Sequence, residues 1–268
     1  NVLPHYWRTM VVLLTSDGLS SPALQAEMQR QCAAVAAKAG GGIRMWYIPT
    51  AALHEGANSR VVASMSKQIA DRFSISDVAV IDPEHVRHDE LERQVAQLRP
   101  NVVYAEMGNT YALRHHLRNS GGDTLVHNAM RAGALFVGSS AGSIVAGRTV
   151  QTAFWKDWDD RTANGSIRVD WTDPKLAAGL DLANGRSFFP HANGQYARAT
   201  WQKAQAERHG HTDHEVIILA DGEGYLVDGD VGRCTTCLFS FLAPGPKGSG
   251  FVESRFATTV CRLQSFQN

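Results

Sequence analysis

The strongest constraint on the fold is a repeated alternation along the first half of the chain. Short apolar runs give way to longer amphipathic ones, again and again. "TMVVLLTSDG" reads as a strand, and "SPALQAEMQRQCAAVAAKAG" as a helix with Ser21 as cap, Pro22 in the first turn and Gly40 as stop. "IRMWYIPTAA" is a strand, "SRVVASMSKQIADRF" a helix, "DVAVIDPE" a strand and "HDELERQVAQL" a helix. "NVVYAEMGN" is a strand, "TYALRHHLRN" and "DTLVHNAMRAG" are helical, and "ALFVGSS" is the next strand. The strand runs are apolar on both faces. That pattern requires helices above and below, and so a mostly parallel α/β sheet flanked by helices on both faces.

After Gly147 the pattern changes. "FWKDWDDRTANGSIRVDWTDPKL" is a long, turn-rich excursion, the kind of loop that carries function in compact domains. "RSFFPHANG" reads as a strand end and "QYARATWQKAQAERHG" as a helix. "EVIILADGEGYLVDGDVGRCTTCLFS" reads as two or three antiparallel strands with Gly/Asp turns, and "GFVESRFATTVCRL" as another strand. No repeat or linker divides residues 1–268, which therefore read as one domain.

Within this frame, Gly138-Ser139-Ser140-Ala141-Gly142 fits G-x-S-x-G between a strand and a helix. Such a turn needs small neighbours and lifts the central serine above the sheet's carboxyl edge. It also puts the next amide, Ala141, at a helix N-terminus, where it can meet a developing oxyanion. The alternative is a plain Gly/Ser turn, but the strand before and the helix after favour Ser140 as a nucleophile.

A serine nucleophile needs a base. His85, His88, His115 and His116 read as solvated surface residues. His191 follows the apolar "SFFP" and falls at a strand end on the edge where open α/β sheets place their sites. For the group behind the imidazole the sequence leaves Asp221, Glu223, Asp157, Asp159 and Asp160 open. A second strand-to-helix corner, Glu106-Met107-Gly108-Asn109-Thr110, can supply another oxyanion donor.

Three blocks together resemble the dipeptidase E and cyanophycinase family of serine peptidases: "VVYAEMGNTYAL", "GALFVGSSAGSIVAGRTVQTA" and "FFPHANG". "VIILADGEGYLV" fits the later strand pair with an acidic residue at Asp221, and "TVQTAFWKDWDD" resembles a stretch of eukaryotic-type members. The resemblance implies a class I glutamine-amidotransferase-like fold, Ser140 as nucleophile and His191 as base. It implies Ala141 N–H and the N–H of Met107 or Gly108 as oxyanion donors. The third group is then an acidic residue soon after the elbow or Asp221; a direct count from the serine lands on Trp155, which makes Asp157 a shifted candidate. The implied substrate is a small peptide with an aspartyl residue on the acyl side, lined by Asn109 and paired by an arginine such as Arg198. The family's corner carries glycine where this chain has Met107, so a Met107 that strains the turn or covers the nucleophile would favour a second reading, an impaired relative retained for binding.

Lys plus Arg and Asp plus Glu are 26 each, which points away from a nucleic-acid footprint. No apolar run approaches bilayer length and no secretory leader is read, so no membrane partner is expected. Four cysteines suit a reduced, cytoplasmic setting. Cys234 and Cys237 form a single CxxC, with His209, His211 and His214 upstream; without a second ligand pair, neither a metal nor another cofactor is expected. A homodimer is compatible with the sequence.

Overall fold

The computed structural model describes residues 10–155, 158–193 and 214–235. Five parallel strands form the centre of the sheet: β1 (Val11–Thr15), β2 (Arg44–Ile48), β3 (Asp77–Val80), β4 (Val102–Ala105) and β5 (Leu135–Ser139). Their order is β3-β2-β4-β5-β1. Two antiparallel strands, β8 (Gly224–Asp228) and β9 (Val231–Cys234), extend the sheet beyond β1.

Alternate residues of each central strand enter opposite cores. Val12, Leu14, Trp46, Ile48 and Phe136 face one, under α4 (His88–Leu98), α5 (Thr110–Asn119) and α6 (Gly122–Arg131). Leu13, Met45, Tyr47, Leu135 and Val137 face the other, under α1 (Pro22–Ala39) and α3 (Ser59–Phe73). Each fully buried aliphatic side chain contributes about 1.5–3 kcal/mol, so this two-sided burial drives the layered fold. Local signals set the helix ends. Ser21 Oγ accepts from Leu24 N–H at the start of α1, and Gly40 ends it in the left-handed region at φ 58°.

Two expectations are corrected. The run at 216–218 is not the first strand of an antiparallel meander. As β7 (Val216–Ile218) it pairs in parallel with β6 (Ser187–Phe189), in a separate two-stranded sheet. The strand before His191 therefore belongs to this small sheet and not to the main one. The segment after β2 is not extended either: Thr50–His54 forms a short helix, α2. The expected helix at 195–210 and the strand at 250–263 lie outside the described residues. Among the described residues, no helix is long and apolar enough to cross a membrane.

Candidate active site

β5 runs into α7 (Ala141–Ala146) through Ser140, which sits at φ 45° and ψ −99°, a backbone conformation an L-residue resists. Crowding explains the small residues around it. A Cβ on Gly138 would lie 2.7 Å from the Gly142 carbonyl carbon, and one on Gly142 would lie 2.2 Å from the Ala105 carbonyl oxygen. Ser140 N–H is fixed to the Thr15 carbonyl of the neighbouring strand at 3.0 Å. Ser139 and Ser143 are fully buried, and Ser143 Oγ accepts from Thr15 N–H at 3.0 Å. Ser140 keeps 7% of its surface, at the mouth of a cleft.

His191 follows β6 at φ 58° and turns its ring over the elbow. Its Nε2 lies 2.8 Å from Ser140 Oγ, and its Nδ1 lies 2.6 Å from Asp221 Oδ1. A carboxylate oxygen only accepts, so Nδ1 carries the proton and Nε2 is left to accept from the serine hydroxyl. Three further residues hold this arrangement. Ser16 Oγ donates to Asp221 Oδ1 at 2.9 Å and accepts from His191 N–H at 2.7 Å. Asn193 Nδ2 donates to Asp221 Oδ2, while Asn193 Oδ1 accepts from Asp221 N–H at 2.8 Å. The Trp158 ring lies 5.8 Å from that of His191.

The other acidic candidates point elsewhere. Asp159 Oδ2 accepts from Thr110 N–H at 2.7 Å, and Asp160 Oδ1 caps its own turn through Thr162. Glu223 Oε2 accepts from Ala220 N–H at 2.9 Å. Asp157 and Arg198 lie outside the described residues, as do Cys237, His209 and His211. His214 Nε2 lies 2.7 Å from Ser187 Oγ.

Across the cleft, the corner after β4 differs from expectation at Met107 and Asn109. Met107 carries no positive φ; the left-handed residue is Gly108, at φ 130°, where a Cβ would lie 2.2 Å from the Ala51 carbonyl oxygen. The strain expected at Met107 is therefore absent, because the glycine-requiring position is the next one. Nor is Met107 N–H open as an oxyanion donor, since it donates to Glu106 Oε1 at 2.9 Å. Gly108 lines the cleft, and Ala141 N–H is the first amide of the helix that follows Ser140, so these two remain the candidate oxyanion donors. The Asn109 side chain, expected against substrate, is taken up by bonds within the protein. It is 1% exposed, its Oδ1 caps α5 through Ala112 N–H at 2.9 Å, and its Nδ2 donates to the Asp160 carbonyl at 3.0 Å.

The sequence profile of peptidase family S51 matches residues 12–234. The chain belongs to peptidase family S51. This S51 member is thereby a peptidase of the serine hydrolase type. It is 27% identical, over 194 residues, to the uncharacterised peptidase Lin0382 of Listeria innocua, a match covering 68% of this chain and 83% of that protein. Its fold is similar to that of a peptidase E-like protein of Listeria monocytogenes EGD-e (TM-score 0.63, 20% identity, covering 84% of this chain and 97% of that one). It is also similar to that of a peptidase from an acI-B1 actinobacterium (TM-score 0.59, 15% identity, covering 84% and 87%).

The S51 peptidase also carries a buried carboxyl beneath its cleft that the sequence reading passed over. Glu106 is 2% exposed, and Tyr47 Oη donates to its Oε2. Burial raises the Glu106 pKa above the ordinary 4.5, against the opposing hydrogen bonds from Tyr47 and Met107 N–H. Its signal was the acidic residue closing an apolar strand. Because the folded carboxyl holds its proton more tightly than the unfolded one, stability falls as pH rises from 4.5 through the folded value. Glu106→Gln should flatten that slope in urea unfolding measured as a function of pH. Parallel wild-type and variant curves would refute it.

Proposed function

We infer that this peptidase hydrolyses short peptides through an acyl-enzyme on Ser140. The observation that carries the reading is the continuous hydrogen-bonded chain Asp221–His191–Ser140, at a cleft that Gly108 also lines and with Ala141 next along the chain. Ser140 Oγ attacks the scissile carbonyl carbon as its proton passes to His191 Nε2. The charge developing on the carbonyl oxygen is met by Ala141 N–H and Gly108 N–H. Collapse breaks the C–N bond, and the leaving amine takes the proton from His191. Water then attacks the ester, with His191 again as base, and Ser140 is restored.

The substrate class follows from size and charge. The cleft has a volume of about 360 Å³, and its walls include Ala52, Met65, Met107 and Trp158. That volume suits a few residues at most. Glu55 and Asp159 add two carboxylates to the wall. Burial, then the charge of Asp159, raises the Glu55 pKa. Two facing carboxylates of this kind suit the free α-ammonium of a peptide. A preference for an aspartyl residue on the acyl side, in a dipeptide or isopeptide, rests on the family resemblance. The second reading, an impaired relative, loses the part of its premise that rested on a strained Met107, while Met107 still lines the cleft beside Ser140.

The test is a dipeptide panel with free and N-acetylated amino termini, followed by chromatography of products. Acetylation should lower kcat/KM by about tenfold, or ~1.4 kcal/mol. Glu55→Gln should lower it similarly for free dipeptides and leave acetylated ones unaffected. Turnover of no member of the panel, by protein that also fails to react with a fluorophosphonate, would overturn the reading.

A further inference from the structure

Outside the Ser140–His191–Asp221 set, three side chains from three separate elements converge. His54 ends α2, Glu84 lies in the turn after β3, and His116 lies in α5. One ligand atom from each lies within 4.8 Å of the other two. The two imidazole rings stack with centroids 5.6 Å apart and present their Nε2 atoms to the two oxygens of one carboxylate. His54 Nε2 lies 2.7 Å from Glu84 Oε2, and His116 Nε2 lies 3.5 Å from Glu84 Oε1. The expectation that His116 is a solvated surface residue is therefore corrected: its side chain is 17% exposed.

His116 Nε2 is the telling atom. It is shielded from solvent and makes no hydrogen bond among the described residues. Glu84 Oε1, at 3.5 Å, makes no hydrogen bond to it; leaving such an atom without one costs about 1–3 kcal/mol, and a buried nitrogen of this kind asks for a closer partner. Its neighbours suggest which. Neutral imidazole is a good ligand for transition metals, and a ligand set of two imidazoles and one carboxylate is one that zinc takes, with a fourth position for water. With metal–ligand bonds of about 2.0–2.2 Å in tetrahedral geometry, neighbouring ligand atoms stand roughly 3.4 Å apart. The Glu84–His116 edge already has that length, and the His54–Glu84 edge is a direct hydrogen bond that a cation would replace. Asp82 adds structure around the set: its Oδ1 accepts from Thr50 Oγ1 at 2.6 Å and from Glu84 N–H at 3.2 Å, which fixes the turn carrying Glu84.

We propose that His54, Glu84 and His116 form a binding site for a divalent transition cation of the zinc class. The site is a brace and takes no part in the peptidase chemistry. It ties α2 to α5 and to the turn after β3. The same stretch of chain that carries His54 supplies Ala52 and Glu55 to the cleft wall, and its Ala51 carbonyl accepts from Asn109 N–H at 3.0 Å. Occupancy would therefore stiffen one wall of the cleft. An all-oxygen cation such as calcium does not fit this ligand set.

The probe is cobalt(II) chloride added to chelator-stripped full-length protein, followed by visible absorption, with zinc chloride as competitor and calcium chloride as control. The expected result is a d–d spectrum of a low-symmetry site that zinc abolishes and calcium does not. His54→Ala/His116→Ala should weaken cobalt binding by at least about 100-fold. The His116→Cys variant keeps a ligand at that position, so it addresses the site even where loss of both imidazoles unfolds the chain. It should add a sulfur-to-cobalt charge-transfer band absent from the wild type. The proposal is overturned by any of three results: no cobalt binding by the wild type, binding unchanged in His54→Ala/His116→Ala, or no new band in folded His116→Cys. A charge-transfer band in the wild type would assign the metal to the cysteines and would overturn it equally.

Discussion

Ser140→Ala should abolish fluorophosphonate labelling and lower kcat on the order of 10⁶-fold, while the protein stays folded. The expectation follows from the division of labour among three neighbouring serines. Ser139 and Ser143 are fully buried, and Ser143 is bound into the β1–β5 seam through Thr15. Ser140 alone of the three faces His191, at 2.8 Å. Its backbone is anchored by its own N–H on Thr15 and not by its hydroxyl, so removing Oγ takes away the nucleophile and little of the fold. Residual turnover from the two amides and from substrate binding would remain above the uncatalysed rate. Thermal unfolding of the variant should match the wild type closely. Labelling that persists in Ser140→Ala, or activity that falls only in Ser143→Ala with Ser140→Ala active, would place the nucleophile elsewhere.

The parts of the molecule that local chemistry determines were readable from the chain. α3, α4 and α5 begin and end where their apolar periodicity does, and Ser21 and Gly40 bound α1 because a cap and a left-handed stop are local features. The parallel pairing of β6 with β7 was not readable. Each strand has three residues, and nothing local says that Ser187 pairs with Val216 and not with a nearer run. The apolar stretch at 216–218 precedes a Gly/Asp turn, and a turn of that composition reads as a hairpin although the chain crosses over to the main sheet instead. The cleft shows the same division. Ser140 and His191 carry local marks: a crowded glycine turn and a strand end. Choosing among five carboxylates needs distances, because Ser16, 175 residues before His191, is what draws Asp221 and the histidine backbone together. The family pattern also misdirected attention to Met107, since a pattern of residue types does not say which of two adjacent positions takes the positive φ.

Asp221→Asn should lower kcat by about 10⁴-fold with a much smaller change in KM. Every contact that the Asp221 side chain makes among the described residues is a donated one: His191 Nδ1–H and Ser16 O–H on Oδ1, and the Asn193 amide on Oδ2. An asparagine has one accepting oxygen and one donating nitrogen. If its oxygen stays toward His191, its amide meets the Asn193 amide donor to donor, and Asn193 cannot turn because its own oxygen is held by the residue 221 N–H. If the side chain turns to relieve that clash, its NH₂ faces His191 Nδ1 and moves the imidazole proton to Nε2. The histidine then donates toward Ser140 and can no longer accept its proton. Ser16→Ala separates tautomer from position. It removes one support of Asp221 but leaves an accepting oxygen on Nδ1, so it should cost far less than Asp221→Asn, about tenfold or below. Single-turnover acylation would read the effect directly, because the defect lies in forming the acyl-enzyme and not in binding. If Asp221→Asn stays within about tenfold of the wild type, the imidazole takes its orientation from another group, and Asp157 becomes the next residue to change.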